Sequence, residues 1–448
     1  MTTYVPFDRD QPFLLPPDLQ DWLPADDIAH FIVAAVDRVR LGAFCTNPQA
    51  GGKPQYHPRL MLALLIYCYA NGIFASRRIE RATYRDIGVR YIAANTHPDH
   101  DTIAVFRRVN KTAFEAAFLE VLLLAREMGL LKLGTVSIDG TKIDANASKI
   151  RSVRYDRAQV LRDKLAADIA ALTARAEAAD TEDEDPQALP REIARRAALK
   201  DKLDAACARL EAEATARAEA ERPEYAKKKA VFEARKGRRG RPPKPPDETP
   251  PPDRQSNLTD PDSALMRKSA AHEYRQAYNA QAVVCAEGSQ LILGTNMATT
   301  PSDQPTFAAT VLSMKSTIGL PTVVLADAGF ADGDAVAQLA AAGVEPLVAI
   351  AKTQPHRPYD FRPRPQQPRP PRRILEAWRL AMKLKLETEQ GKARYKKRKQ
   401  TVEPVFGIIK SAIGFTRFHL RGIRNVATEW LLVALAYNCR RLHNLQPA

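Results

Sequence analysis

The stretch "TVSIDGTKIDANASK" (residues 135–149) alternates small or polar residues with Val136, Ile138 and Ile143. A period of two is the mark of a half-buried strand. Gly140-Thr141 suits a tight turn, so two paired strands are expected. Asp139 then ends the first strand, and Asp144 lies on the second. An aspartate at a strand end usually forms a turn or caps a helix, but it also suits a metal ligand. Of the two, Asp139 is the candidate ligand and Asp144 is expected to have structural or secondary duty.

Outward from this stretch, the pattern changes on both sides. Residues 1–130 read as an all-helical domain. Asp26 and Asp27 precede an apolar run at helical spacing, Pro58 suits a first helical turn, and Gly72 suits a helix end. Ser76 is a good N-cap for "SRRIERATYRDIGVRYIAA", and Asp101 or Thr102 for the following helix. Arginines on short helices fit a DNA-binding module, and an ordinary packing domain is the alternative.

Residues 151–235 read as an insertion. Leu161, Leu165, Ile169 and Leu172 are spaced as one helical seam, and Leu199, Leu203, Ala206 and Leu210 as another. An acidic break, "DTEDEDPQALP", separates them, which predicts a helical hairpin or a coiled coil between chains. Residues 236–273 form a basic, Pro-rich linker whose "RRGRPPK" core resembles an AT-hook. Arg239 and Arg241 in such a core suit the negative potential of a narrow minor groove.

Strand character resumes at 278–300, where two β-rich runs flank Glu287-Gly288-Ser289 and predict a hairpin. A helix from about Asp303 to Ser316, a buried strand in "LPTVVLADAGF", another helix and the strand "EPLVAIAK" follow. A Pro- and Arg-rich loop at 354–373 precedes the last helices. This order predicts an α/β mixed sheet with flanking helices, built from residues 131–150 and 274–448.

Charge and cysteine content bound the partners. The 448 residues hold 67 Lys/Arg against 52 Asp/Glu, a net charge of +15. Residues 351–448 alone hold 22 Lys/Arg and 6 Asp/Glu, about the whole excess. Such a region favours polyanions by counterion release, and nucleic acid is the expected partner. The five scattered cysteines form neither a disulfide framework nor a zinc pattern, which suits a reducing cytoplasm. No signal peptide and no membrane span are expected.

Three acids stand out against that background. Asp139 and Asp327 each follow an apolar strand, and Glu403 opens "PVFGIIKSAIGF". Phosphodiester chemistry needs an activated oxygen nucleophile and a stabilised leaving oxygen. Two Mg²⁺ ions about 3.5–4 Å apart supply both. Mg²⁺ keeps several waters, so two or three carboxylates suffice. Singly, each acid has an ordinary reading: Asp327 as a cap for the next helix, Glu403 as a partner of Arg398 or Lys399.

These motifs resemble a family. "SIDGTKIDANASK", "VLADAGF" and "YKKRKQTVEPVFGIIK" look like the three acid motifs of bacterial insertion-sequence DDE transposases. The likeness is to the group with a Tyr-Arg-Glu-Lys signature, in the branch named after insertion sequence eleven-eighty-two. "YHPRLMLALLIYCYANGI", "HPDHDTIAVFRR" and "DPDSALMRK" also look like that group.

The resemblance implies an RNase H-like catalytic domain with Asp139, Asp327 and Glu403 as catalytic and metal-binding residues. It implies two Mg²⁺ ions, with Mn²⁺ as a substitute. It implies DNA partners, both terminal inverted repeats and target, in a homodimeric complex at the cytoplasmic nucleoid. Tyr395, Arg398, Lys399 and Lys410 fall on the signature's DNA-contacting positions. The Glu403-to-Lys410 step matches the pattern, whereas the Arg398-to-Glu403 step is one residue long, so either Arg398 or Lys399 fills the basic position. A DNA-binding protein without catalysis and a nuclease without strand transfer are the rival expectations.

Overall fold

Residues 135–144 fold as one strand rather than two. In the computed structural model, which describes residues 18–46, 55–178, 188–234, 241–267, 271–350 and 376–446, β1 (Thr135–Asp144) runs straight through Gly140. Gly140 has no left-handed backbone to make a turn. It is small for another reason: a Cβ there would lie 2.3 Å from Asp303 Oδ1. Glycine in a strand marks such a close approach. Asp139 and Asp144 therefore share a strand, which corrects the expected hairpin.

The chain divides into two compact units. The first comprises residues 1–143, 279–420 and 424–448, and the second residues 144–278 and 421–423.

The first unit opens with helices α1 (Ile28–Asp37), α2 (Pro58–Ala70), α3 (Ser76–Arg85), α4 (Ile87–Ile92), α5 (His100–Val109) and α6 (Lys111–Glu127). Asp27 caps α1 by accepting from Ala29 N at 2.8 Å, and Asp86 caps α4 through Val89 N at 2.9 Å. Pro58 sits in the first turn of α2, whose residues Met61 to Ala70 are all buried. Gly72 follows with φ +76°, as a helix terminus prefers. Two caps differ from expectation. Asp99, not Asp101 or Thr102, caps α5. Ser76 is the first residue of α3, and its Oγ accepts from Arg107 at 3.2 Å instead of capping.

The second unit is built around β2 (Ser152–Arg154), α7 (Tyr155–Ala178), α8 (Ala188–Glu233), β3 (Gln255–Asn257) and β4 (Ala264–Met266). The two long helices pair within the chain. Leu203 and Cys207 of α8 pack with Leu161 and Leu165 of α7. Arg196 reaches Asp168 at 2.8 Å, and Tyr155 donates to Glu211 at 2.7 Å. β2 and β3 form an antiparallel ribbon beside them.

The first unit's sheet adds residues 279–285 of β5 (Arg275–Cys285), together with β6 (Ile292–Ala298), β7 (Val323–Ala326) and β8 (Glu345–Val348). Its strands lie in the order β6-β5-β1-β7-β8. β5 and β6 form the expected antiparallel hairpin, while β1, β7 and β8 run parallel. Helices α9 (Phe307–Leu312), α10 (Gly333–Ala341), α11 (Ala377–Glu387), α12 (Glu389–Gly407) and α13 (Ile423–Leu445) complete the architecture. It is a mixed α/β fold. The 354–373 loop lies outside the described residues.

α13 is welded to the sheet by polar side chains. Asn438 accepts from Ile292 N at 2.9 Å and donates to Ile292 O at 2.7 Å. Trp430 donates to Gln281 O at 2.8 Å. A fully buried carboxylate joins the same helix to the N-terminal ones. Glu429 accepts from Tyr69 at 2.8 Å and from the His419 and Leu420 amides at 2.9 Å each. Arg107, also buried, donates to Tyr69 at 2.7 Å and to Phe74 O at 2.9 Å. Burial alone would push the Glu429 carboxyl up; His419, Arg107 and the Leu420 amide hold it below its usual value.

Candidate functional site

β1 and β7 bring two of the acids together. Thr135 pairs with Val323, and the register continues to Ser137 and Leu325. The same offset, carried two residues further, sets Asp139 opposite Asp327. Both lie where the apolar strand interior gives way: Val136, Ile138, Val324 and Leu325 are completely buried, whereas the two aspartates are partly exposed. Parallel neighbours make this meeting a consequence of backbone register, with no long side chain needed.

Each aspartate is oriented by the chain just after it. Asp139 accepts from Gly140 N at 2.8 Å, and Asp327 accepts from Gly329 N at 2.7 Å. Burial and the charge of Asp327 drive the Asp139 carboxyl up, and Asp303 adds to the push. The Gly140 amide and Arg398 pull it back, leaving it at about 6. Two facing carboxylates in a half-dry site repel unless a proton or a cation joins them.

Glu403 is placed differently. It sits on α12, more than half exposed at 53%, against 19% for Asp139. Arg398, buried on the same helix, bridges them: one guanidinium nitrogen lies 3.2 Å from Asp139, another 3.4 Å from Glu403. Pro404 follows Glu403 and cannot donate to the Gln400 carbonyl. Gln290 Nε2 supplies that bond at 3.0 Å, tying the β5–β6 turn to α12.

The basic and aromatic candidates separate into two groups. Tyr395 donates to Ala326 O at 3.1 Å, one residue before Asp327, and so fastens α12 to β7. Lys410, in a π-helical turn, donates to Thr141 Oγ1 at 2.6 Å and Lys142 O at 3.1 Å on β1. Tyr395, Arg398 and Lys410 thus all converge on the two acid-bearing strands. Lys399 is exposed on α12, and Arg241 is exposed in the second unit. Arg239 lies outside the described residues.

A fourth acid joins them that the sequence does not single out. Asp303 Oδ1 accepts from Asn279 at 2.6 Å and from Gln281 at 2.9 Å. Two glycines keep open the space beside it. A Cβ on Gly329 would meet Asp327 Oδ1 at 2.9 Å and Asp303 Oδ2 at 3.5 Å. In "TTPSDQPT" the residue looks like a helix start, which hides it. The usable signal is the pair of fully buried amides, Asn279 and Gln281, two residues apart on one face of β5.

These donors suit a hydrated hard cation. Among the described residues no three His, Cys, Asp or Glu side chains close into a metal cage. Mg²⁺ does not need one, since it binds through one or two carboxylates and retains water. The Asp139–Asp327 pair has that chemistry, with Asp303 and the orphaned, buried Oδ1 of Asn279 alongside.

Comparison with known families gives two matches. Residues 249–439 match the Transposase DDE domain. Residues 17–109 match the Transposase domain (DUF772). Both are transposase domains, which supports a transposase function. Neither a curated protein nor a solved structure matches the chain. No described helix is long and apolar enough to cross a membrane.

Proposed function

We propose that the chain is an insertion-sequence transposase that binds terminal inverted repeats, cleaves DNA and joins the freed 3′ end to target DNA. The observation that carries this reading is the parallel register of β1 with β7, whose offset brings Asp139 beside Asp327, a charge neighbour inside the region matched to the DDE domain. The strand order β6-β5-β1-β7-β8, an antiparallel hairpin beside parallel strands, supports an RNase H-like domain. The Tyr395, Arg398, Glu403 and Lys410 set supports the signature group, in the eleven-eighty-two branch.

Asp139 and Asp327 would hold Mg²⁺, with Glu403 completing the set once Arg398 releases it. Bound Mg²⁺ supplies an activated nucleophile and charge for the leaving oxygen. In cleavage, water attacks the phosphodiester and the 3′ oxygen leaves. In transfer, that 3′ hydroxyl attacks a target phosphodiester and the bridging oxygen leaves. Arg398, freed from the acids, and Lys410 would face the phosphate charge.

DNA binding has further support in the second unit. Lys149, Arg151, Arg157 and Lys164 line a cleft of about 630 Å³. None of the four forms a salt bridge among the described residues, and the one acid there, Asp168, is taken by Arg196. The N-terminal helices, the basic linker and the C-terminal helices would share the DNA in a homodimeric complex.

The test is strand cleavage of terminal-repeat DNA with Mg²⁺. Asp139→Ala and Asp327→Ala each lose several kcal/mol of stabilisation at the reacting oxygens. That corresponds to about a thousandfold or more in rate. Salt-sensitive DNA binding persists in both. Cleavage that survives both changes and Glu403→Ala removes the reading. A strand-transfer assay with pre-cleaved ends separates a transposase from a nuclease. A second reading, a DNA-binding protein without catalysis, draws support from Glu403, which is exposed and tied to Arg398. A parent chain that binds the repeats and never cleaves them would favour it.

A further inference from the structure

Asp303 occupies the N-cap position of a 3₁₀ turn (Gln304–Thr306), yet its side chain caps nothing. This separates it from Asp327, whose carboxylate does cap the turn that follows it. The Asp303 carboxylate is instead drawn sideways by two amides on β5, Asn279 and Gln281, neither of which is exposed at all.

Those amides are themselves locked. Gln281 Oε1 accepts from Thr306 at 2.8 Å and from Asn296 at 3.2 Å, and Asn296 also donates to Thr310 at 2.9 Å. A buried polar network of this size is costly unless its members are satisfied. Here one member is not. Asn279 Oδ1 is buried and has no partner among the described residues, and it lies 2.7 Å from where a Gly140 Cβ would be. Asp303 Oδ2 faces the same point beside Gly329 as Asp327 Oδ1, and the two amides both bond the other oxygen, Oδ1. Acceptors left open on one side of a rigid network call for donors that the protein does not supply.

We propose that Asp303 is a positioning residue of the acidic site. Held by Asn279 and Gln281, it accepts hydrogen bonds from the water shell of a divalent cation bound by Asp139 and Asp327. The assignment rests on the cation-site reading above. It accounts for the two glycines, the missing cap and the open acceptors together. Carboxylates placed outside the direct ligands orient bound water and tune affinity.

Mn²⁺ binding to the full chain without DNA, read by electron paramagnetic resonance, tests it. Asp303→Asn keeps an oxygen for Asn279 and Gln281 while removing the charge. It weakens Mn²⁺ roughly 10–100-fold, the usual effect of losing an outer partner. Its melting temperature in EDTA stays level or rises, since a like charge near Asp139 is gone. Gly329→Ala, which intrudes between Asp303 and Asp327, weakens Mn²⁺ in the same direction. A folded Asp303→Asn chain that binds Mn²⁺ as tightly as its parent, while Asp327→Asn does not, overturns the role of Asp303 alone. Unchanged binding in Asp327→Asn as well removes the cation site itself. Should Asp303→Asn fail to fold, undiminished binding by folded Gly329→Ala overturns the proposal.

Discussion

The first unit contains two arginine–carboxylate constellations of opposite character. In one, Arg107, Tyr69 and Glu429 are sealed inside, and the carboxylate takes hydrogen bonds on both oxygens. In the other, Arg398 bridges Asp139 and Glu403 at 3.2 and 3.4 Å with solvent at one edge. The charged form of Glu429 is favoured, whereas that of Asp139 is disfavoured. Desolvation acts upward on both. The difference lies in the neighbours: Glu429 is surrounded by donors, while Asp139 faces further acids. A carboxylate surrounded by donors holds a structure together. One set against other carboxylates keeps a demand for positive charge.

Breaking the sealed constellation has the largest effect. Glu429→Gln leaves Arg107 with a buried charge and one fewer counter-charge, a loss of about 3–5 kcal/mol in stability. Chemical denaturation reads it as a lower midpoint, and divalent cations do not restore it. The open constellation responds to those cations instead. Mg²⁺ or Mn²⁺ at about a hundredfold over its dissociation constant stabilises the parent by about 2.7 kcal/mol, and Asp139→Asn abolishes the gain. Equal stabilisation of both chains would erase the contrast between the two constellations.

pH sharpens the contrast further. The Asp139 carboxyl has a folded value of about 6 against an ordinary 3.8. The native state therefore holds its proton more tightly than the unfolded chain. In metal-free buffer its ionisation penalises stability fully above about 6, and the penalty fades as pH falls toward 3.8. Each tenfold difference in proton affinity between the folded and unfolded chains is worth about 1.4 kcal/mol. Asp139→Asn thus raises stability at pH 7–8 by about 1–3 kcal/mol and by nearly nothing below about pH 4. Glu429 works in reverse: its depressed value contributes stability above the ordinary 4.5 that is lost as pH falls through the folded value. The smallest effect belongs to Lys410→Met, which removes the bonds to Thr141 and Lys142 and costs about 1 kcal/mol of stability.

The strands are legible in the sequence because their periodicity is local. Val136 and Ile138, or the run at 323–326, announce themselves within a few residues. The position of Asp139 opposite Asp327 is less so: each residue is visible, but their meeting depends on a parallel pairing that no local pattern encodes. The turn expected at Gly140-Thr141 fails because glycine has two uses, bending a chain and admitting a neighbour, and sequence does not say which. Asp303 escapes because a Pro-rich helix start is explanation enough for an aspartate. Ser76 is a reasonable cap until Arg107, 31 residues on, claims its hydroxyl. The Glu429 constellation is invisible for the same reason. Tyr69 and Glu429 lie more than 300 residues apart in the chain and meet only in the folded core.

Gly140 and Gly329 carry one more consequence, in the currency of inheritance. Any base change that replaces a glycine without ending the message adds at least one carbon to the residue. At these two positions that carbon lands 2.3 Å from an Asp303 oxygen and 2.9 Å from an Asp327 oxygen. Any replacement at Gly140 in β1, or at Gly329 in the turn after β7, therefore moves a carboxylate of the acidic site. As the chain diverges, lineages should lose the acids and the two glycines together or keep them together.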